Sequence, residues 1–159
     1  MTVTSVLFVC TGNICRSPLA EGIFLHLAAE RGEAAAYRAD SAGTGGWHEG
    51  EAPDRRSIHV AALNGIDISG QRARKITGRD FERFDLILGM DRGHVAALKA
   101  RAPSDHAGRI HLFSRFAAAR DFDIPDPYYG GPDDFADVYN MLLSGCGLLL
   151  ERLLSMRGS

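Results

Sequence analysis

Short apolar runs alternate with helical patterns from one end of this 159-residue chain to the other. Residues 5–9, 37–41, 85–89 and 109–113 read as strands. The first of them, SVLFV, is an unbroken apolar run of the kind buried on both faces of a sheet. Residues 18–31 read as a core-facing helix, because Leu19, Ala20, Ile23, Phe24, Leu27 and Ala28 recur at its period. Ser17 is a natural N-cap for it, Pro18 suits its first position and Gly32 its stop. Further helices are predicted over 53–64, closed by Gly65, and over 91–101. A long one starts near Pro132, with Val138, Met141, Leu142, Cys146, Leu149, Leu150 and Leu153 on one stripe. Gly145 and Gly147 weaken that last helix by roughly 1 kcal/mol each. A β-α-β-α order implies an α/β fold with a parallel sheet and helices on both faces. Such sheets bind ligands beyond the carboxyl ends of their strands, here the loops after Val9, Ser41 and Gly89.

At this length one globular unit over residues 1–159 is expected, and no linker, repeat or low-complexity tract interrupts it. Eighteen Lys+Arg stand against 20 Asp+Glu, a formal net charge of −2, which argues against a polycation that coats nucleic acid and against an acidic disordered tail. Three cysteines are too few, and odd in number, for a disulfide-stapled scaffold. Residues 1–9 carry no positive charge, and no stretch approaches the roughly 18 apolar residues of a membrane span. A cytoplasmic monomer with free thiols and no membrane attachment is expected.

The chemistry concentrates in Cys10-Thr11-Gly12-Asn13-Ile14-Cys15-Arg16-Ser17, between the first strand and the first helix. Backbone N–H groups that converge on a helix start form an anion site, reinforced by the positive helix end. Gly12 and Asn13 tolerate the positive φ that such a curl needs. Arg16 offers a planar guanidinium for two oxygens of a tetrahedral oxyanion. The same field should depress the pKa of Cys10, and Ser17 can donate to its thiolate. A thiolate in a phosphate cradle points to phosphoryl transfer through a cysteinyl-phosphate. Cys15, on the same loop, is expected to trap oxidised Cys10 as a reversible disulfide. Cys146, on the apolar stripe of the last helix, reads as a core thiol.

A departing phenol oxygen needs a proton. Asp126 is the candidate, since a following proline biases its backbone to an extended conformation, but Asp121, Asp123, Asp133, Asp134 and Asp137 compete. Trp47, the only tryptophan, reads either as a loop anchor or as one wall of a slot for an aromatic ring. Tyr128 and Tyr129 are then the other wall, or caps on a core.

CTGNICRSPLAE resembles the C-x5-R-S phosphate loop of the low-molecular-weight protein tyrosine phosphatases. The resemblance continues in order through SAGTGGW at 41–47, DISGQRARKI at 67–76, FDLILGMD at 84–91 and DPYYGGPDDF at 126–135. It implies three α/β/α layers around a four-stranded parallel sheet and hydrolysis of phosphotyrosine in proteins, tyrosine-phosphorylated kinases among them, without a cofactor. It selects Asp126 as the general acid and implies that Trp47, His48, Tyr128 and Tyr129 shape substrate preference. Asn13 and Ser41 match a network that holds the loop, with Gln71 where the family often has histidine. Asp91 matches a supporting position near the mouth that can bond a wall tyrosine.

The same loop occurs in arsenate reductases, whose chemistry needs relay cysteines near the third strand, and residues 78–95 contain none. A silent phosphotyrosine-binding module would be expected to have lost Cys10, Arg16 or Asp126. His26, His59, His94, His106 and His111 are scattered without metal-ligand spacing, so no metal is expected. Arg55, Arg56, Arg72, Arg74 and Lys75 lack interleaved aromatics and read as solvated, not as a nucleic-acid surface.

Overall fold

A computed structural model describes residues 2–158; Met1 and Ser159, the ends of the expected unit, lie outside the described residues. Four strands form one parallel sheet in the order β2-β1-β3-β4: β1 (Thr4–Cys10), β2 (Tyr37–Gly43), β3 (Leu86–Gly89) and β4 (Ile110–Leu112). The helices are α1 (Arg16–Glu30), α2 (Arg55–Leu63), α3 (Asp80–Arg83), α4 (Arg92–Arg101), α5 (Phe113–Ala118) and α6 (Pro132–Arg157).

The β1 side chains explain the layering. Val6, Phe8 and Cys10 face one way, into a core shared with Leu19, Ile23, Phe24, Phe113, Leu142 and Leu149 from α1, α5 and α6. Leu7 and Val9 face the other way, with Phe81 and Leu98 from α3 and α4. Both faces being covered, the unbroken apolar run is what this strand requires. Phe8 anchors the larger core, with ring centroids 5.8 Å from Phe24 and 6.2 Å from Phe113. Such pairs contribute about 0.5–1.5 kcal/mol each beyond their burial.

The predicted elements are all present, with no end shifted by more than two residues. The short helices α3 and α5 were not anticipated, since six residues or fewer carry too little periodicity to read. In α6, Gly145 has a packing reason: a Cβ there would meet the Phe113 ring at 2.5 Å. The helix gives up propensity to let that ring lie against its backbone. No helix among the described residues is long and apolar enough to cross a membrane.

β1 sits between β2 and β3, so the chain leaves its carboxyl end where neighbouring connections diverge to either side. The loops after β1, β2 and β3 therefore meet at one edge, the position where parallel sheets hold ligands.

Candidate active site

The loop between Cys10 and Ser17 is held by its carbonyls. Cys10 and Thr11 accept from the amides of Thr44 and Gly45 at 2.9 and 3.0 Å, and Ile14 accepts from Asp54 at 2.8 Å. With those carbonyls bonded to the surrounding segments, the amides of Gly12 through Ser17 have no acceptor among the described residues. Asn13 supplies the turn with φ of 59°. Gly12 does not take a positive φ, against expectation; its role is clearance, since a Cβ there would lie 3.0 Å from the His48 ring.

Ser17 was expected to cap α1, but the helix starts at Arg16 and no side chain caps it. The Ser17 hydroxyl is engaged elsewhere, 3.0 Å from Cys10 Sγ. The Asn13 side chain dictates its direction. Asn13 Oδ1 accepts from the Arg74 amide at 3.0 Å, which fixes Nδ2 as the end donating to Ser17 Oγ and Ser41 Oγ, both at 2.9 Å. The Ser41 hydroxyl donates to Glu21 Oε1 at 2.8 Å, and Ser17 is left to donate to the sulfur. Burial pushes the Glu21 carboxyl up to about 7, although the Ser41 hydrogen bond works against that. Gln71 stands outside this network: its Nε2 donates to the Pro18 carbonyl at 3.1 Å, and Glu21 occupies the end of the chain instead.

Arg16 is 3% exposed and its guanidinium is divided. Nη1 donates to Asp91 Oδ2 and to the Ile124 carbonyl, both at 2.9 Å. Nε is buried with no partner among the described residues, and Nη2 lies 3.8 Å from Asp126 Oδ2. One edge is thus clamped, while on the other Nη2 makes only long contacts to Thr11 Oγ1 at 3.4 Å and His94 Nε2 at 3.5 Å and Nε is unpaired, an edge that two-point capture of an oxyanion can use. Among the described residues Asp91 makes no hydrogen bond to a tyrosine; its oxygens accept from the Arg16 guanidinium and the His94 amide, both at 2.9 Å. Burial opposes its charge, yet those two donors outweigh it and hold the carboxyl below the usual range. Asp126 is half exposed, and its Oδ1 accepts from the Tyr128 amide at 3.1 Å, which orients the carboxyl beside the loop.

His94 was set aside as one of several scattered histidines, and it is buried in this site. Its Nδ1 accepts from the Asp91 amide at 3.1 Å, so the ring proton resides on Nε2, 2.9 Å from Thr11 Oγ1. Burial, with Arg16 beside it, lowers the imidazole to about 4, so the ring is neutral. The D-x-x-H spacing after a strand is a capping pattern that could have placed it at the mouth.

Cys10, Thr11, Gly12, Ile14, Cys15 and Arg16 floor a cleft of about 220 Å³ whose walls include Trp47, His48, Asp126, Tyr128 and Tyr129. Trp47 and Tyr129 are largely exposed, 74% and 93%. The DPYYGG segment is tied to α2 by Arg56, which donates to the carbonyls of Tyr128 and Gly130 at 3.0 and 3.3 Å. Arg56 and Arg74 were read as solvated surface; both keep part of that exposure and are also paired, Arg56 with Asp54, and Arg74 with Asp40 and Asp80. Cys15 is buried, and desolvation with the Asp54 charge pushes its thiol up to about 12. Cys146 is fully buried in the core, where burial raises its pKa.

The profile described as low molecular weight phosphotyrosine protein phosphatase matches residues 5–157. A low molecular weight protein-tyrosine-phosphatase of Streptomyces coelicolor is 44% identical over 149 residues, covering 91% of this chain and 90% of that one. The protein tyrosine phosphatase from Entamoeba histolytica superposes with a TM-score of 0.91 at 34% identity, covering 97% of this chain and 99% of that one. YfkJ from Bacillus subtilis superposes with a TM-score of 0.90 at 37% identity, covering 98% of each.

Proposed function

The chain belongs to the low molecular weight phosphotyrosine protein phosphatases and is a hydrolase of that family; from that premise we propose how its own residues divide the reaction. The phosphotyrosyl side chain enters between Trp47 and the Tyr128–Tyr129 pair. Amides of Gly12 through Ser17 and the Nε–Nη2 edge of Arg16 hold the phosphate oxygens and neutralise charge as it shifts. The Cys10 thiolate attacks phosphorus, and the bond from phosphorus to the phenol oxygen breaks. Asp126 gives its proton to that oxygen. Water then attacks the phosphorus of the cysteinyl-phosphate and loses its proton to the Asp126 carboxylate. The S–P bond breaks, phosphate departs, and the returning thiolate is met by the Ser17 hydroxyl at 3.0 Å.

One observation carries the reading: the buried Arg16 Nε has no partner among the described residues while Nη1 is clamped by Asp91 and Ile124. A buried guanidinium Nε left unpaired beside a thiol and a carboxyl suits a tetrahedral oxyanion. Wild type should hydrolyse both phosphotyrosine and p-nitrophenyl phosphate, and Cys10→Ser neither. Asp126→Ala should lose about 10²–10⁴-fold on phosphotyrosine. It should lose less on p-nitrophenyl phosphate, whose phenolate leaves without a proton. Activity retained by Cys10→Ser, or equal losses of Asp126→Ala on both substrates, would overturn these assignments.

The residues act as one unit in a cytoplasmic monomer, on phosphoproteins that include tyrosine-phosphorylated kinases. This finer reading rests on analogy within the family, and capture of phosphoproteins by Cys10→Ser is its assay. Cys15 is the proposed redox guard, through a reversible disulfide with Cys10.

A further inference from the structure

A groove of about 1250 Å³ opens from the catalytic cleft along the seam between α2 and the start of α6. The two are continuous, because Ile14, His48 and Tyr128 line both. Ile14, Pro53, Val60 and Phe135 give the groove an apolar floor, and Leu63, 71% exposed, stands on its rim. Its nearest charges are already matched. Arg56 is paired with Asp54 at 2.9 Å and stacked over Phe135 at 4.4 Å, and His48 pairs with Glu51 at 3.0 Å. The remaining charged lining, Arg55 against Asp133, is mixed in sign.

A cleft of about 220 Å³ takes one side chain, whereas the adjoining space is several times larger. A polypeptide whose phosphotyrosine is in the cleft must run out over its rim. The path across the shared wall leads onto apolar surface with no free cluster of one charge. We infer that the α2–α6 groove holds apolar side chains flanking the phosphotyrosine of a protein substrate, so the enzyme selects apolar over charged sequence context. The inference rests on the phosphatase reading above.

The test uses three substrates: p-nitrophenyl phosphate, a phosphotyrosine peptide flanked by alanines, and the same peptide flanked by leucines. An apolar group in a hydrophobic pocket is worth about 10–200-fold in kcat/KM. Wild type should prefer the leucine peptide by about tenfold or more, chiefly through KM, since the contact is made equally in ground and transition states. Leu63→Asp, at an exposed position, should remove most of that preference and leave p-nitrophenyl phosphate hydrolysis unchanged. Equal use of the two peptides by wild type, or an undiminished preference in Leu63→Asp, overturns the inference while leaving the phosphatase intact. A wild-type dimer in sedimentation that Leu63→Asp makes monomeric would assign the groove to a second copy and overturn it too. Absence of p-nitrophenyl phosphate hydrolysis in wild type would overturn the phosphatase reading, and this inference with it.

Discussion

Cys15 shares the loop of Cys10, but burial and the neighbouring Asp54 carboxylate push its thiol up to about 12. At neutral pH it therefore carries its proton, although a resolving cysteine must attack as thiolate. In the proposed guard, once peroxide has taken Cys10 to the sulfenic acid, Cys15 sulfur displaces the hydroxyl, water leaves and the disulfide forms. Because the pKa is raised, the thiolate fraction increases about tenfold for each pH unit below 12. After a peroxide pulse, the crosslinking step followed by mass spectrometry should accelerate in that proportion as pH is raised. Cys15→Ser should pass instead to irreversible inactivation. A pH-independent crosslinking step, or a Cys15→Ser enzyme as recoverable as wild type, would contradict the guard. At this scale the sequence was legible for residues whose chemistry is rare in their setting: Cys10, Arg16 and Ser17 announce themselves by spacing between a strand and a helix. Glu21 and Arg56 did not, since a single charged residue on a helix looks solvated until the fold brings its partners to it.

The first turn of α4 shows how an element serves the site without touching the reacting atoms. Asp91 caps the helix, accepting from the His94 amide at 2.9 Å, and the same turn directs its carboxylate at Arg16 and the His94 ring at Thr11. His94 is a positioning residue: by donating from Nε2 it fixes the Thr11 hydroxyl as acceptor there and leaves the Thr11 proton to point into the loop. A hydrogen bond of this kind is worth about 0.5–1.5 kcal/mol. His94→Ala should therefore lower kcat/KM for phosphotyrosine roughly three- to tenfold. His94→Asn, which retains a donor, should recover part of the loss. With the imidazole lowered to about 4, no limb of the pH–rate profile between 5 and 8 belongs to it, and His94→Ala should leave the shape of the profile unchanged. A displaced limb, or no rescue by asparagine, would contradict this role. The long periodic elements could be read from the chain to within a few residues. The helix start at Arg16 could not, because the Ser17 hydroxyl accepts from Asn13 and donates to Cys10 instead of capping the helix end.

Across the whole molecule, function follows from strand order more than from composition. Periodicity reads which face a strand buries and is blind to its neighbour, so the order β2-β1-β3-β4 was not legible in the chain and comes from the structure. That order brings Asn13, Ser41, Asp91 and His94 together at the carboxyl ends of three strands and leaves Asp126, from the segment before α6, beside Arg16. A formal net charge of −2 does not report the local field, which comes from loop amides, a helix start and one buried guanidinium. The central claim is that phosphate passes through a covalent bond to Cys10 in that field. Rapid acid quench of the enzyme with a phosphotyrosine peptide, followed by peptide mass analysis, tests it most directly. The account predicts one phosphoryl group on the peptide containing Cys10 in wild type and none in Cys10→Ser. Steady turnover with no phosphoryl group on that peptide at any quench time, or with the group on another residue, would contradict it.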